Sequence, residues 1–220
     1  MLKIVEGLEA GKQALARRNS VDAPEMPPEV ARKTREVFGQ SLSPREVVER
    51  ILASVRQRGD AAVREYNQKL DGAVVDALEI GRQQIQDAYR MVPPPLLSAL
   101  RLSAARISKF QKKTLPTGWM DPEEGLGIRV IPLERVGLYA PGGTAAYPST
   151  VLMTAIPARV AGVKEIVLCS PAAGGRLFSP AVLVAADIAQ VDRVFQVGGV
   201  QAIGAMAFGT ESIPRVDKIC

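Results

Sequence analysis

Apolar residues keep one rhythm before Glu134 and another after it. Val47, Val48, Ile51, Leu52 and Val55 recur at helical spacing on one face, and so do Leu97, Leu100, Ala104, Ile107 and Phe110. Beyond Glu134 the apolar residues gather into short unbroken runs near 135–139, 165–170, 193–197 and 217–220. Small-residue and apolar segments at 145–161, 180–190 and 201–208 separate them and predict helices. Continuously apolar strands that alternate with helices predict a parallel sheet buried on both faces. Pro157 falls inside the first of these helices and is expected to kink or split it.

The earlier part reads as mainly helical. Ile4, Val5, Leu8 and Leu15 give a short amphipathic helix within 1–19, and Pro24, Pro27 and Pro28 mark 20–29 as a linker. A short helix is expected over 30–38. Ser43-Pro44-Arg45-Glu46 is a helix start with a capping box. Gly59 should end that helix, and Asp60 should cap the next, over 61–70. A short strand is expected over 74–80, helices over 82–91 and 96–113, a loop holding Trp119 over 115–127, and an extended segment over 128–133. Trp119 could stack on a ligand, but covering the core is the commoner use of such a ring. The expected organisation is an arm and linker (1–40), a partial helical domain (41–133) and an α/β domain (134–220).

Composition narrows the function. The chain has 220 residues, 47% hydrophobic and 23% charged, within the ordinary range of globular proteins. It has no unbroken apolar run of membrane-spanning length and no secretory leader pattern, which predicts a cytoplasmic protein that engages no membrane. The net charge of +5 is scattered, and the densest basic run, Lys109 to Lys113, reads as a solvated helix face, so no nucleic-acid partner is expected. Two cysteines make no disulfide framework; Cys169 lies in a buried-strand pattern, and Cys220 receives no role. The absence of histidine excludes a Ser-His-Asp triad and a histidine-ligated zinc site built from this chain.

Two strand ends carry glycine pairs, Gly142-Gly143 and Gly198-Gly199. Glycine allows a sharp turn and close approach of a ligand. The helix N-termini that follow offer unpaired N–H groups to an anion such as a pyrophosphate. Neither turn is a G-x-G-x-x-G fingerprint, so tight turns alone remain an alternative reading.

Residues 135–143, Arg-Val-Gly-Leu-Tyr-Ala-Pro-Gly-Gly, resemble the signature of the histidinol dehydrogenase family. So do Ser149 to Met153, Glu165 to Pro171, Val197 to Ile203 and Ala207 to Pro214. Gly59 to Ala62 and Phe110-Gln111 fit more loosely. The resemblance covers this chain but only about the N-terminal half of a family member. It implies a Rossmann-like α/β fold akin to aldehyde dehydrogenases, incomplete here. It further implies a zinc-dependent homodimer that oxidises L-histidinol through the aldehyde to L-histidine with two NAD, the last step of histidine biosynthesis. By motif match, Tyr139 and Gln201 are the implied NAD contacts, beside the glycines above. A core aromatic and a helix-cap residue are the plainer roles for these two. The family's Gly-Pro-Gly-Asn block, catalytic Glu-His pair and zinc ligands have no counterpart here. No catalytic or metal-ligating residue is therefore expected in this chain, and alone it should be inactive. The alternative is a non-catalytic module that binds a nucleotide or a partner.

Overall fold

The computed structural model describes residues 4–15, 28–142, 146–172 and 178–220. It separates into two compact units, 1–47 and 48–220. The first holds α1 (Leu8–Leu15) and α2 (Pro28–Phe38). α1 starts later than the helix expected over 1–19, because Gly7 has a φ of +96°, outside the helical region. The Thr34 hydroxyl donates to the Ala31 carbonyl at 3.0 Å and accepts the Leu42 N–H at 3.4 Å. Helix α3 (Pro44–Arg58) opens with the expected capping box. The Ser43 N–H donates to Glu46 Oε2 at 2.7 Å, and the Glu46 N–H donates to Ser43 Oγ at 3.3 Å.

The second unit contains α4 (Asp60–Asp71), α5 (Arg82–Met91) and α6 (Pro94–Thr114), and then the hairpin β1 (Trp119–Asp121) and β2 (Leu126–Ile128). Next come β3 (Arg135–Tyr139), α7 (Pro148–Val160), β4 (Glu165–Ser170), α8 (Pro180–Ile188), β5 (Arg193–Gln196), α9 (Gly199–Phe208) and β6 (Lys218–Ile219). β3 to β6 form one parallel sheet in the order β5-β4-β3-β6. The chain therefore has the α/β architecture that its apolar runs predict.

Alternation along the strands builds two apolar layers. Val136, Leu138, Ile166, Leu168 and Val194 join the cluster formed with α5 to α8. Their neighbours Val167, Cys169 and Phe195 are equally buried. On the face opposite Val136 and Leu138, Gly137 leaves room for Met206 and Val216: a Cβ there would lie 2.6 Å from Met206 Sδ. A strand apolar at every position is what a sheet covered on both sides demands.

Several local expectations gave way to tertiary contacts. Asp60 is the first residue of α4, not its cap. Its carboxylate instead accepts the Ser212 N–H and the Ser212 hydroxyl, while its own N–H donates to Glu211 Oε2 at 2.8 Å. A carboxylate distant in sequence thus serves the helix N-terminus. The strand expected over 74–80 reduces to one antiparallel bridge, Glu79 to Phe195. Two backbone bonds of 2.8 Å, Ile80 N–H to the Val194 carbonyl and Gln196 N–H to the Leu78 carbonyl, close that edge of β5. Arg193 pins the same edge with a forked pair to Glu79 at 2.9 and 2.6 Å.

The loop expected over 115–127 contains the β1–β2 hairpin, whose turn is held by Asp121 Oδ1 accepting the N–H groups of Glu123 and Glu124. Trp119 is 51% exposed on it and does not cover the core. Phe110 likewise leaves its expected apolar face and is exposed. Pro157 does not split α7. It sits in the last turn, where its missing N–H forfeits a single ladder bond, and its carbonyl accepts the Ala161 N–H at 2.8 Å.

Candidate functional site

The strand order is third, second, first, fourth in sequence, so the connections turn in opposite directions on either side of β3. In open parallel sheets a ligand crevice lies beyond the carboxyl ends at that reversal. Tyr139 is the last residue of β3 and sits there. Its N–H donates to the Cys220 carbonyl at 2.8 Å, at the end of β6. Its hydroxyl oxygen accepts the Gly199 N–H at 3.0 Å.

That bond ties Tyr139 to the N-terminus of α9. Gly198 holds the cap position without a side-chain cap. Gly199 has a φ of +58°, where a side chain would be strained. The first bond inside the helix runs from Ala202 N–H to the Gly198 carbonyl at 3.2 Å. The N–H groups of Val200 and Gln201 precede it and belong to the turn that can face an anion.

Pro171, just beyond β4, wedges between the two glycine corners. A Cβ on Gly142 would lie 2.8 Å from Pro171 Cγ, and one on Gly198 would lie 2.5 Å from Pro171 Cβ. Glycine at both positions is thus a steric requirement of this packing. Gly143 lies outside the described residues.

Gln201 is 0% exposed. Its Nε2 donates to Asn67 Oδ1 and to Asp71 Oδ2 of α4, both at 3.3 Å. Its Oε1 is buried with no hydrogen-bond donor. It lies 2.8 Å from where a Cβ on Gly199 would stand. The structure therefore gathers Tyr139, Gly198, Gly199 and Gln201 at one corner, with Tyr139 half-buried and Gln201 beneath it.

Burial pushes the Asp71 carboxyl above its usual value of 3.8, partly countered by the hydrogen bond from Gln201. A group raised in this way stabilises the fold fully below its unfolded pKa. It loses that contribution as the pH rises through the raised folded value. The chain should thus gain stability through Asp71 as mildly acidic solutions approach about pH 4. Asp71→Asn, which cannot ionise, should flatten that part of the profile. Urea midpoints measured across the range decide this; an identical slope in the variant would refute the assignment.

Cys169 is buried in β4, and desolvation pushes its thiol up to about 12. Cys220 is exposed. A thiol reagent should consume one equivalent from the native chain and two after denaturation. Two rapid equivalents from the native chain would contradict the burial.

Among the described residues no group of three or more His, Cys, Asp or Glu side chains could hold a metal ion, and no helix is long and apolar enough to cross a membrane. The sequence has no histidine. The donor set does not fit the zinc that the resemblance implies.

A family model described as histidinol dehydrogenase matches residues 35–220. The chain belongs to the histidinol dehydrogenase family. It is 46% identical, over its whole length, to the histidinol dehydrogenase of Dehalococcoides mccartyi, and covers 50% of that protein. Against the Methanosarcina mazei histidinol dehydrogenase the identity is 47% over 79% of this chain and 41% of the relative. The crystal structure of histidinol dehydrogenase from Elizabethkingia anophelis superposes with a TM-score of 0.76 at 32% identity, over 88% of this chain and 46% of that one. The chain thus spans about half the length of the curated relatives it matches.

Within this histidinol dehydrogenase fold, two residues at the corner escaped the sequence reading, Asn67 and Asp71, and Pro171 was matched only as the end of a family block. Asn67 and Asp71 stand four apart on α4, beside buried Val63 and Tyr66. A polar residue inside an apolar helix face was the signal that could have found Asn67.

Proposed function

We propose that this chain supplies the NAD-binding portion of a zinc-dependent histidinol dehydrogenase, acting in the cytoplasm as a homodimer. The reaction would oxidise L-histidinol through the aldehyde to L-histidine, closing histidine biosynthesis. The observation that carries the nucleotide reading is the convergence of Tyr139, the Gly198-Gly199 corner and Gln201 at the topological reversal of the sheet. Tyr139, the first turn of α9 and Gln201 would hold NAD there, and the cofactor would supply the hydride acceptor for both oxidations.

This chain's own residues would bind and orient. The Tyr139 oxygen accepts a helix N–H, and its own hydroxyl proton would be available to an acceptor on the ligand. The first turn of α9 would face the pyrophosphate. Gly142 and Gly198 would serve the site indirectly, by letting both corners close on Pro171 beside that turn. Gln201 would accept a donor of the nucleotide through Oε1. Proton transfer and zinc binding would fall to residues outside these 220. The second reading is a non-catalytic module that binds a nucleotide or a partner.

Two measurements separate the readings. Calorimetry of NAD against this chain should show binding at one site. Supplying the C-terminal half of the Dehalococcoides mccartyi relative with zinc should give histidinol-dependent NADH formation, and neither half alone should. NAD binding with no turnover in the mixture would favour the module.

A further inference from the structure

We infer that Asn67 and Asp71 are positioning residues: they aim the Gln201 amide so that only its carbonyl oxygen faces the corner. The inference rests on the nucleotide reading above. Its basis is a relay of hydrogen bonds with a fixed direction. Asn67 Nδ2 donates to the Gln196 carbonyl at 3.0 Å, at the end of β5. Asn67 must then turn Oδ1, an acceptor, toward Gln201. Asp71 presents a second acceptor. Both take the Gln201 Nε2 protons.

Turning the amide over would set its oxygen against two other oxygens. The relay thus starts at a backbone carbonyl that cannot flip and ends by fixing Oε1 against Gly199. A buried carbonyl oxygen without a donor is costly unless something supplies one. A nucleotide hydroxyl or carboxamide N–H arriving at the corner would do so. Because both Nε2 protons are already engaged, Gln201 would select a ligand group that donates, not one that accepts.

The arrangement also explains the pairing of Gly199 with Gln201. A side chain at 199 would occupy the position toward which Oε1 is aimed. Asn67 and Asp71 would touch no ligand themselves. They act through Gln201, and a merely structural role for them would not depend on it.

The test is a double-mutant cycle read by NAD calorimetry on this chain. Asp71→Ala should weaken NAD about tenfold, the loss of roughly one well-placed hydrogen bond. Asp71→Asn, which keeps an acceptor oxygen, should restore most of the affinity. In a Gln201→Ala background, Asp71→Ala should weaken binding no further. Full additivity of the two losses, or unchanged affinity in Asp71→Ala, would overturn the positioning role alone. Failure of the unmodified chain to bind NAD would overturn the nucleotide reading, and the role toward a nucleotide with it. Should Asp71→Ala not fold, the Gln201 side-chain NH2 signals of the unmodified chain serve instead. Slow hydrogen exchange of both protons supports the relay, and rapid exchange refutes it.

Discussion

Gly198→Ala should cost about 2 kcal/mol of stability and at least about tenfold in NAD affinity. The added Cβ would stand 2.5 Å from Pro171 Cβ, 2.8 Å from Asp71 Oδ2 and 3.2 Å from Pro171 Cα. One of these neighbours is backbone and another belongs to a rigid ring, so the strain cannot be relieved by turning a flexible tip. Gly198 itself has ordinary extended torsions, φ −104° and ψ −177°. The penalty is therefore packing, not conformation, and it falls on the corner that also holds Gly199 and Gln201. Gly11→Ala is the contrast. A Cβ there meets nothing within 4 Å, within helix α1, so that substitution should be neutral or stabilising by up to about 1 kcal/mol. Urea midpoints at constant slope check both, and equal effects at the two positions would contradict the steric account.

Phe195→Ala should cost about 3–5 kcal/mol and lower the melting temperature by about 10 °C. Phe195 is 0% exposed and stands in β5, where its backbone meets Glu79 across the closed sheet edge. The Arg193 guanidinium lies 4.9 Å from its ring centroid and is held by Glu79. Removing the ring leaves a cavity and takes away one face against which that cation packs. Phe195→Leu should recover about half of the loss, since most of the term is buried volume. Thermal melts followed by far-UV circular dichroism measure both, and a drop below about 3 °C for the alanine variant would sink the prediction.

The strands were legible because a sheet covered twice leaves no polar alternation, as in 165–170, and no helix of a surface bundle writes that pattern. The start of α3 was legible because Ser43 and Glu46 satisfy each other within one turn. What the chain did not show locally were bonds between distant segments. Asp60 reads as a cap, yet it serves Ser212, and Glu211 serves its N–H in return. The β1–β2 hairpin is only three residues per strand, too short for a period to emerge. At the corner, Tyr139, Gly198, Gly199 and Gln201 could be named from family blocks. Asn67 and Asp71 could not: a polar residue on an apolar helix face marks Asn67 as unusual, but nothing in α4 says that these side chains will meet another helix 130 or more positions on.

One thiol of the native chain is open, and it belongs to Cys220, whose carbonyl accepts the Tyr139 N–H. An environment-sensitive dye attached to that sulfur would sit on the α7 side of β6, near Leu138 and Thr154, while the buried Cys169 stays unlabelled. Its emission would then report the packing of that edge of the sheet against α7, without any introduced cysteine.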